Sequence, residues 1–253
     1  MSWLLIDVGN SRTVALRAPA SGGRLAEPVV TVLDEPTPRT DAGAADLAAR
    51  LARDRGDVLV VGLTSVVPRL TAALATRLPD LRSVDHTWSM PFAVLVEQPE
   101  TVGADRWCNV AAAVAAGLTD AIVVDAGTAT TIDVLADGEF RGGLIAPGMA
   151  FAARQLQEKG ARLWPVPFTR CELRPGRHTA EALQIGAFHV GVNGVVGTVA
   201  GLRAQFPRAR VLVTGGLAFC LDQPGWRLDA LLTFRGLVHL MHGQGRPAEA
   251  APA

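Results

Sequence analysis

Two stretches of the chain repeat one pattern of hydrophobic and polar positions. Residues 4–16 read Leu-Leu-Ile-Asp-Val-Gly-Asn-Ser-Arg-Thr-Val-Ala-Leu, and residues 122–134 read Ile-Val-Val-Asp-Ala-Gly-Thr-Ala-Thr-Thr-Ile-Asp-Val. Aligned without gaps, Asp7 falls on Asp125, Gly9 on Gly127 and Thr13 on Thr131. Each copy is an apolar run, a D-x-G turn with small polar residues, and a second apolar run, which predicts strand–turn–strand. Glycine in the turn permits positive φ and lets a ligand come close to the backbone. Twin units opening two half-chains predict a duplicated architecture with a site between the halves.

The remaining pattern fits alternating α/β units. Val29–Leu33 reads as a strand, and Asp41 caps a helix over Ala42–Arg55 that carries Leu47 and Leu51 one turn apart. Val58–Val61 is a short buried strand, Pro68–Leu78 a helix, and the alanine-rich Gly103–Leu118 a helix with Asp105 in its first turn. The second half opens with strands Ala121–Asp125 and Thr130–Leu135, then a hairpin at Asp137-Gly138 into Phe140. Helices are predicted over Met149–Glu158, Ala180–Arg203 and Asp229–Met241, with strand Val211–Thr214 between the last two. The domains expected are 1–118 and 119–242, with a disordered tail over 243–253.

Composition removes several classes of function. The 253 residues are 49% hydrophobic, with 24 acidic and 24 basic side chains, so the chain is not disordered and has no global field for nucleic acid or an anionic membrane. No apolar run is read as approaching the ~20 residues of a bilayer span, and the amino terminus lacks the basic region of a signal peptide. The cytoplasm is the expected compartment. Of the basic residues only Lys159 is lysine, and it lies outside any glycine-rich GK[ST] loop, which excludes a Walker-type NTPase. There is no tyrosine to supply a phenol, no G-x-G-x-x-G after a strand and no G-x-S-x-G elbow. Cys108, Cys171 and Cys220 are far apart and read as reduced thiols.

The candidate chemistry sits at strand ends. Asp7 and Asp125 each end an apolar run at a glycine turn. Facing phosphates, the turn N–H groups and the hydroxyls of Ser11, Thr13, Thr128 and Thr131 supply donors, while the aspartates hold cations. Two ordinary Asx turns would look the same. In Gly103-Ala104-Asp105-Arg106, the carboxylate suits deprotonation of a hydroxyl and the guanidinium a substrate carboxylate; the plainer account is helix capping. Gly142–Gly148 runs from strand to helix and serves anion binding or a tight connection, while Thr214-Gly215-Gly216 could flank a base or ribose. His239 and His242 lack a third ligand and read as structural. Gly191, Gly194, Gly197 and Gly201 share a helical face, for close packing within the subunit or across a dimer.

Taken together, D-V-G-N-S at Asp7–Ser11, G-A-D-R at Gly103–Arg106, D-A-G-T-A-T-T at Asp125–Thr131, G-G-L-I-A-P-G at Gly142–Gly148, Thr179-Ala180-Glu181-Ala182 and Thr214-Gly215-Gly216 resemble type III pantothenate kinase, in the family's order over nearly the whole chain. The resemblance implies an α/β fold of the acetate-kinase/hexokinase/actin type. That means two ribonuclease-H-like domains, duplicated βββαβαβα units, with the active site in the cleft between them, usually in a homodimer. It implies ATP-dependent phosphorylation of pantothenate to 4′-phosphopantothenate, with Mg²⁺ and a monovalent cation, K⁺ or NH₄⁺. By position, Asp7, Val8, Gly9, Asn10, Ser11, Arg12, Thr13 and Val14 form the first phosphate loop, with Asp7 near the Mg²⁺. Asp105 accepts the proton, while Val96, Gly103, Ala104, Asp105, Arg106 and Thr179 meet pantothenate. Asp125 binds the monovalent cation and Thr128 touches ATP. Arg12 also stands as a neutraliser of phosphate. Val96 stands where the family carries a tyrosine, and His178 replaces an asparagine. The other readings are a Bvg accessory factor-like regulatory protein on the same scaffold, or a kinase for another small alcohol; neither nucleic acid nor membrane is an expected partner.

Overall fold

The computed structural model describes residues 2–58, 60–160 and 164–244. In chain order the elements are β1 (Ser2–Val8), β2 (Arg12–Ser21), β3 (Arg24–Leu25), β4 (Val30–Pro36), α1 (Asp41–Asp54), β5 (Val60–Ser65), α2 (Pro68–Arg77), β6 (Leu81–Ser83), β7 (Ala93–Val94) and α3 (Ala104–Ala115). There follow β8 (Ala121–Ala126), β9 (Ala129–Ala136), β10 (Glu139–Pro147), α4 (Met149–Lys159), α5 (Thr179–Gln205), β11 (Arg210–Thr214), β12 (Trp226–Leu228) and α6 (Leu232–Gly243). The predicted hairpin is present, with Asp137 and Gly138 both at positive φ, as its two-residue turn requires.

The chain forms two compact units. One comprises Met1–Thr119, Gly138–Phe140 and Leu231–Ala253; the other comprises Asp120–Asp137 and Arg141–Ala230. The main division thus falls one residue past the expected boundary. The departure is α6, whose apolar face (Leu237, Val238, Leu240, Met241) is buried and packs against α3 in the first unit, although its place in the chain put it in the second domain. Gly62 of β5 lacks a side chain because the Met241 thioether occupies that space. The tail expected from residue 243 begins with Gly243 still in α6, and residues 245–253 lie outside the described residues.

In the first unit β4 and β3 pair with β2, and the sheet continues β2-β1-β5-β6, antiparallel across β2–β1 and parallel across β1–β5 and β5–β6. Ile6, Val61 and Leu63 meet Leu47, Leu51, Leu70 and Leu74 of α1 and α2 in its core. The second unit repeats the order as β10-β9-β8-β11-β12, antiparallel across β9–β8 and parallel across β8–β11 and β11–β12. The repeat seen in the two turns therefore extends to whole sheets. One part has shrunk in the second copy: between β11 and β12 there is a single 3₁₀ turn, Ala218–Leu221, where the first copy has α2.

Two further expectations need correction. Helix α1 is capped by Thr40, whose hydroxyl accepts the Gly43 N–H at 3.1 Å, and Asp41 is its first residue. A threonine oxygen reaches the third N–H of the helix as well as an aspartate does, so the sequence alone did not separate them. Helix α5 is, among the described residues, the one helix long and apolar enough to cross a membrane by length and composition, with a mean hydropathy of 1.5. Scattered glycines and alanines hid that run. Its Phe188, Val192, Val195 and Val199 are buried in the core of the second unit, and Ile185 is buried as well. Of the five glycines on α5, Gly191 packs against Met149, while Gly186, Gly194, Gly197 and Gly201 face open space.

Candidate active site

The first turn is built by strand pairing, one backbone hydrogen bond and two hydroxyl contacts. β1 carries Asp7 to its end, where it lies opposite Val14 on β2 and Thr64 on β5. The Gly9 N–H donates to the Arg12 carbonyl at 3.0 Å, closing a turn that leaves Asn10 and Ser11 exposed. Thr37, just after β4, donates its hydroxyl to the Gly9 carbonyl at 2.6 Å and lies 3.0 Å from the buried Thr13 hydroxyl. The Thr13 hydroxyl is therefore engaged within the fold. Val8 is buried, so only the backbone there can meet a ligand. Arg12 forms an ion pair with Asp34, which holds the Asp34 carboxyl below its usual range through that hydrogen bond. A phosphate at Arg12 would have to compete with Asp34.

Asp105 opens α3. Gly103 precedes it in extended conformation, and a side chain there would lie 2.5 Å from Asp105 Oδ1 and 3.3 Å from Val66. Glycine is required so that the carboxylate can fold over the helix start. Asp105 Oδ1 accepts the Arg106 N–H at 2.8 Å. Burial raises the Asp105 pKa above the ordinary carboxylate value, against the lowering effects of that N–H and of the Arg106 charge. One turn along the helix lies the buried Cys108 thiol. Burial drives its pKa well up; the Thr64 hydroxyl opposes this, and the charges of Asp7 and Asp105 add to it. One thiol thus senses both carboxylates, so the end of β1 and the start of α3 converge in the first unit. Arg106 lies over the buried Phe140 ring, and Val96 follows β7 half-buried.

The second turn is built from glycines. Asp125 lies opposite Thr131 on β9 and Thr214 on β11. The Gly127 N–H donates to the Ala129 carbonyl at 3.0 Å, closing a turn one residue shorter than the first. Gly215, at φ +91°, sits where a Cβ would lie 2.5 Å from Asp125 Oδ1, so both its conformation and its neighbour exclude a side chain. Gly148, which starts α4, packs directly on the Gly127 and Thr128 carbonyls, and its N–H donates to Thr128 O at 3.0 Å. Three motifs distant in sequence thus meet around Asp125–Thr128. Thr128 is exposed; the Thr130 and Thr131 hydroxyls are buried without hydrogen-bond partners. Thr179 is exposed at the start of α5, where His178 takes the capping role, its ring Nδ1 accepting the Glu181 N–H at 3.4 Å. Glu181 binds Arg174, which lowers its pKa to about 2.

The family profile of type III pantothenate kinase matches residues 3–204. This chain belongs to the type III pantothenate kinases. It is similar to the type III pantothenate kinase of Chlorobaculum parvum, 34% identical over 227 residues, covering 84% of this chain and 83% of that protein. Among solved structures it is similar to a conserved Baf family transcriptional activator of Campylobacter jejuni (TM-score 0.61, 21% identity, 96% of this chain and 98% of that one). It is also similar to a ROK family glucokinase of Streptomyces griseus in complex with glucose and AMPPNP (TM-score 0.56, 14% identity, 97% and 99%). At such identities the likeness carries the fold alone, two ribonuclease-H-like domains. As a type III pantothenate kinase the protein phosphorylates pantothenate to 4′-phosphopantothenate, the first step of coenzyme A biosynthesis, using ATP and a divalent metal.

Metal binding has to be tested against the donors present. Among the described residues no group of three or more His, Cys, Asp or Glu side chains could hold an ion. A magnesium ion held by one or two carboxylates and substrate phosphates needs no such group, so Asp7 fits it. A monovalent cation takes oxygen donors, and the buried, unpartnered Thr131 hydroxyl across the strand from Asp125 fits that chemistry. The sequence did not reveal Thr37 and Asp34. Each acts on a turn or helix far away in the chain, and no local pattern marked them.

Proposed function

We propose that Asp105 is the general base of this kinase, and the observation carrying this is its burial against Arg106 with a pKa raised by desolvation. A carboxylate so placed takes the proton of the substrate hydroxyl more readily than an exposed one. The hydroxyl oxygen then bonds to the γ-phosphorus of ATP, the bond from that phosphorus to the β–γ bridging oxygen breaks, and ADP leaves. Oδ1 is anchored by the Arg106 N–H, which leaves Oδ2 to receive the proton. Gly103, Ala104, Arg106, Val96 and Thr179 meet pantothenate, and the exposed Asn10 and Ser11 meet phosphate together with the backbone of Gly9 and Thr13. Thr128 contacts ATP.

Asp7 holds Mg²⁺ and Asp125, with Thr131, holds K⁺ or NH₄⁺; bound there, these cations offset phosphate charge that a chain without a P-loop lysine leaves open. The enzyme works in the cytoplasm as a homodimer. Support for the dimer is an apolar groove of about 700 Å³ in the second unit, lined by Leu144, Ile145, Leu156, Leu183 and Val190, where Val190 is 75% exposed. The test of the whole reading is ADP release with pantothenate and ATP, measured in potassium and in sodium. We expect turnover that depends on pantothenate and is much faster in potassium; no ADP release in any salt would remove the reading.

A further inference from the structure

Arg106 is held by an aromatic cluster that the catalytic reading leaves unused. Its guanidinium carbon lies 5.8 Å from the centroid of the Phe140 ring. Phe140 is fully buried, and Trp107 meets it edge-on at 5.3 Å and 66°. Phe92 approaches both rings at 6.2 Å, stacked on Trp107 and tilted 67° to Phe140. The ring therefore has little freedom to turn. Phe140 also fixes a second candidate substrate segment: it pairs with Val94, and its carbonyl accepts the Leu95 N–H at 3.1 Å, one residue before Val96. All these residues belong to the first unit.

A guanidinium is drawn to the face of an aromatic ring by the ring quadrupole. That attraction acts through the guanidinium face and consumes none of its N–H donors, which lie in the guanidinium plane. The geometry points to Phe140 as a positioning residue that holds Arg106 for the carboxylate of pantothenate, making this ring a determinant of selectivity for the acid over uncharged analogues. The inference rests on the reading of Gly103–Arg106 as substrate contacts.

The test compares the wild-type enzyme with Phe140→Leu and with a protein carrying trifluorophenylalanine at position 140, which keeps the shape of the ring and weakens its negative face. For each, KM and kcat are measured with pantothenate, KM with ATP, and competitive inhibition by pantothenyl alcohol, in which CH₂OH replaces the carboxylate. We expect the pantothenate KM to rise about tenfold in Phe140→Leu and roughly threefold in the fluorinated protein. The ATP KM and the inhibition by pantothenyl alcohol should stay as in wild type. An unchanged pantothenate KM in the fluorinated protein overturns the inference while the kinase reading stands. Equal weakening of acid and alcohol also overturns it, since that marks a collapsed pocket. If wild type does not turn over pantothenate, the kinase reading falls first and this inference with it. Should Phe140→Leu fail to fold, the fluorinated protein alone decides.

Discussion

The two D-x-G turns look alike in sequence and are built differently. In the first, Val8 pairs with Thr13 and four residues lie between them; in the second, Ala126 pairs with Thr130 and three lie between. The structural counterpart of Thr13 is therefore Thr130, and not the Thr131 that a gapless alignment supplies. Because strand side chains alternate, one residue of slip changes which side chain stands opposite the aspartate. Asp7 has Val14 across the strand, whereas Asp125 has Thr131 with a buried hydroxyl and no partner. The first turn is braced by side chains, Thr37 on Gly9 and Thr13 and Asp34 on Arg12. The second is braced by glycine backbone, Gly148 and Gly215. Under the function proposed above, this difference becomes a division of labour: proton transfer near Asp7 and Asp105 falls to the first unit, and the oxygen donors for a monovalent cation fall to the second.

Mutants of graded severity test that division. The largest effect is expected from Asp105→Asn, which keeps the shape but cannot take a proton. Its turnover should fall by roughly 10²–10⁴ in every salt, with ATP binding retained. Its melting temperature at neutral pH should hold or rise. A carboxyl whose folded pKa is raised binds its proton more tightly in the fold than in the unfolded chain, so its contribution favours the fold at low pH. That contribution is lost as pH rises through the folded pKa, and the amide removes this loss. Normal turnover would return Asp105 to a capping role.

Next is Asp125→Ala, for which we expect turnover down by about 10²-fold. Unlike Asp105→Asn, this variant should lose the difference between potassium and sodium. Rates parallel to wild type in both salts would break the division. The mildest is Thr131→Val. The potassium concentration for half-maximal activity should rise by roughly three- to tenfold, the scale of one neutral donor, while the saturated rate and the pantothenate KM stay in place. Thermal stability should hold, because the replaced hydroxyl has no partner. An unchanged potassium curve would remove Thr131 from the cation site and leave Asp125 in it.

What was legible in the sequence was local. The strands flanking each turn, the Asp137-Gly138 hairpin and the helix starting near Gly103 follow from short-range pattern and turn chemistry, and all three are present. Illegible features depended on partners far along the chain. Thr37 bonds Gly9 across 28 positions, and Arg12 pairs with Asp34 across 22. The allegiance of α6 was hidden because an amphipathic pattern says that a face is buried and not which unit buries it. The turn lengths were hidden because matching D-x-G letters fix where a hairpin begins and not where its return strand enters register. At the site itself, Asp7, Asp105 and Asp125 could be picked out as carboxylates at strand and helix ends. The glycines crowding Asp125 became interpretable only once Gly148 and Gly215 were seen against it.

The central claim, that Asp105 is a base made stronger by burial, is tested most directly by the pH profile of kcat in wild type and Asp105→Asn. A base works only when deprotonated, so turnover must be lost as pH falls through its folded pKa. For wild type we predict an acid limb centred above the ordinary carboxylate pKa of about 4, and for Asp105→Asn a low rate with that limb gone. The same acid limb in both proteins would contradict the account.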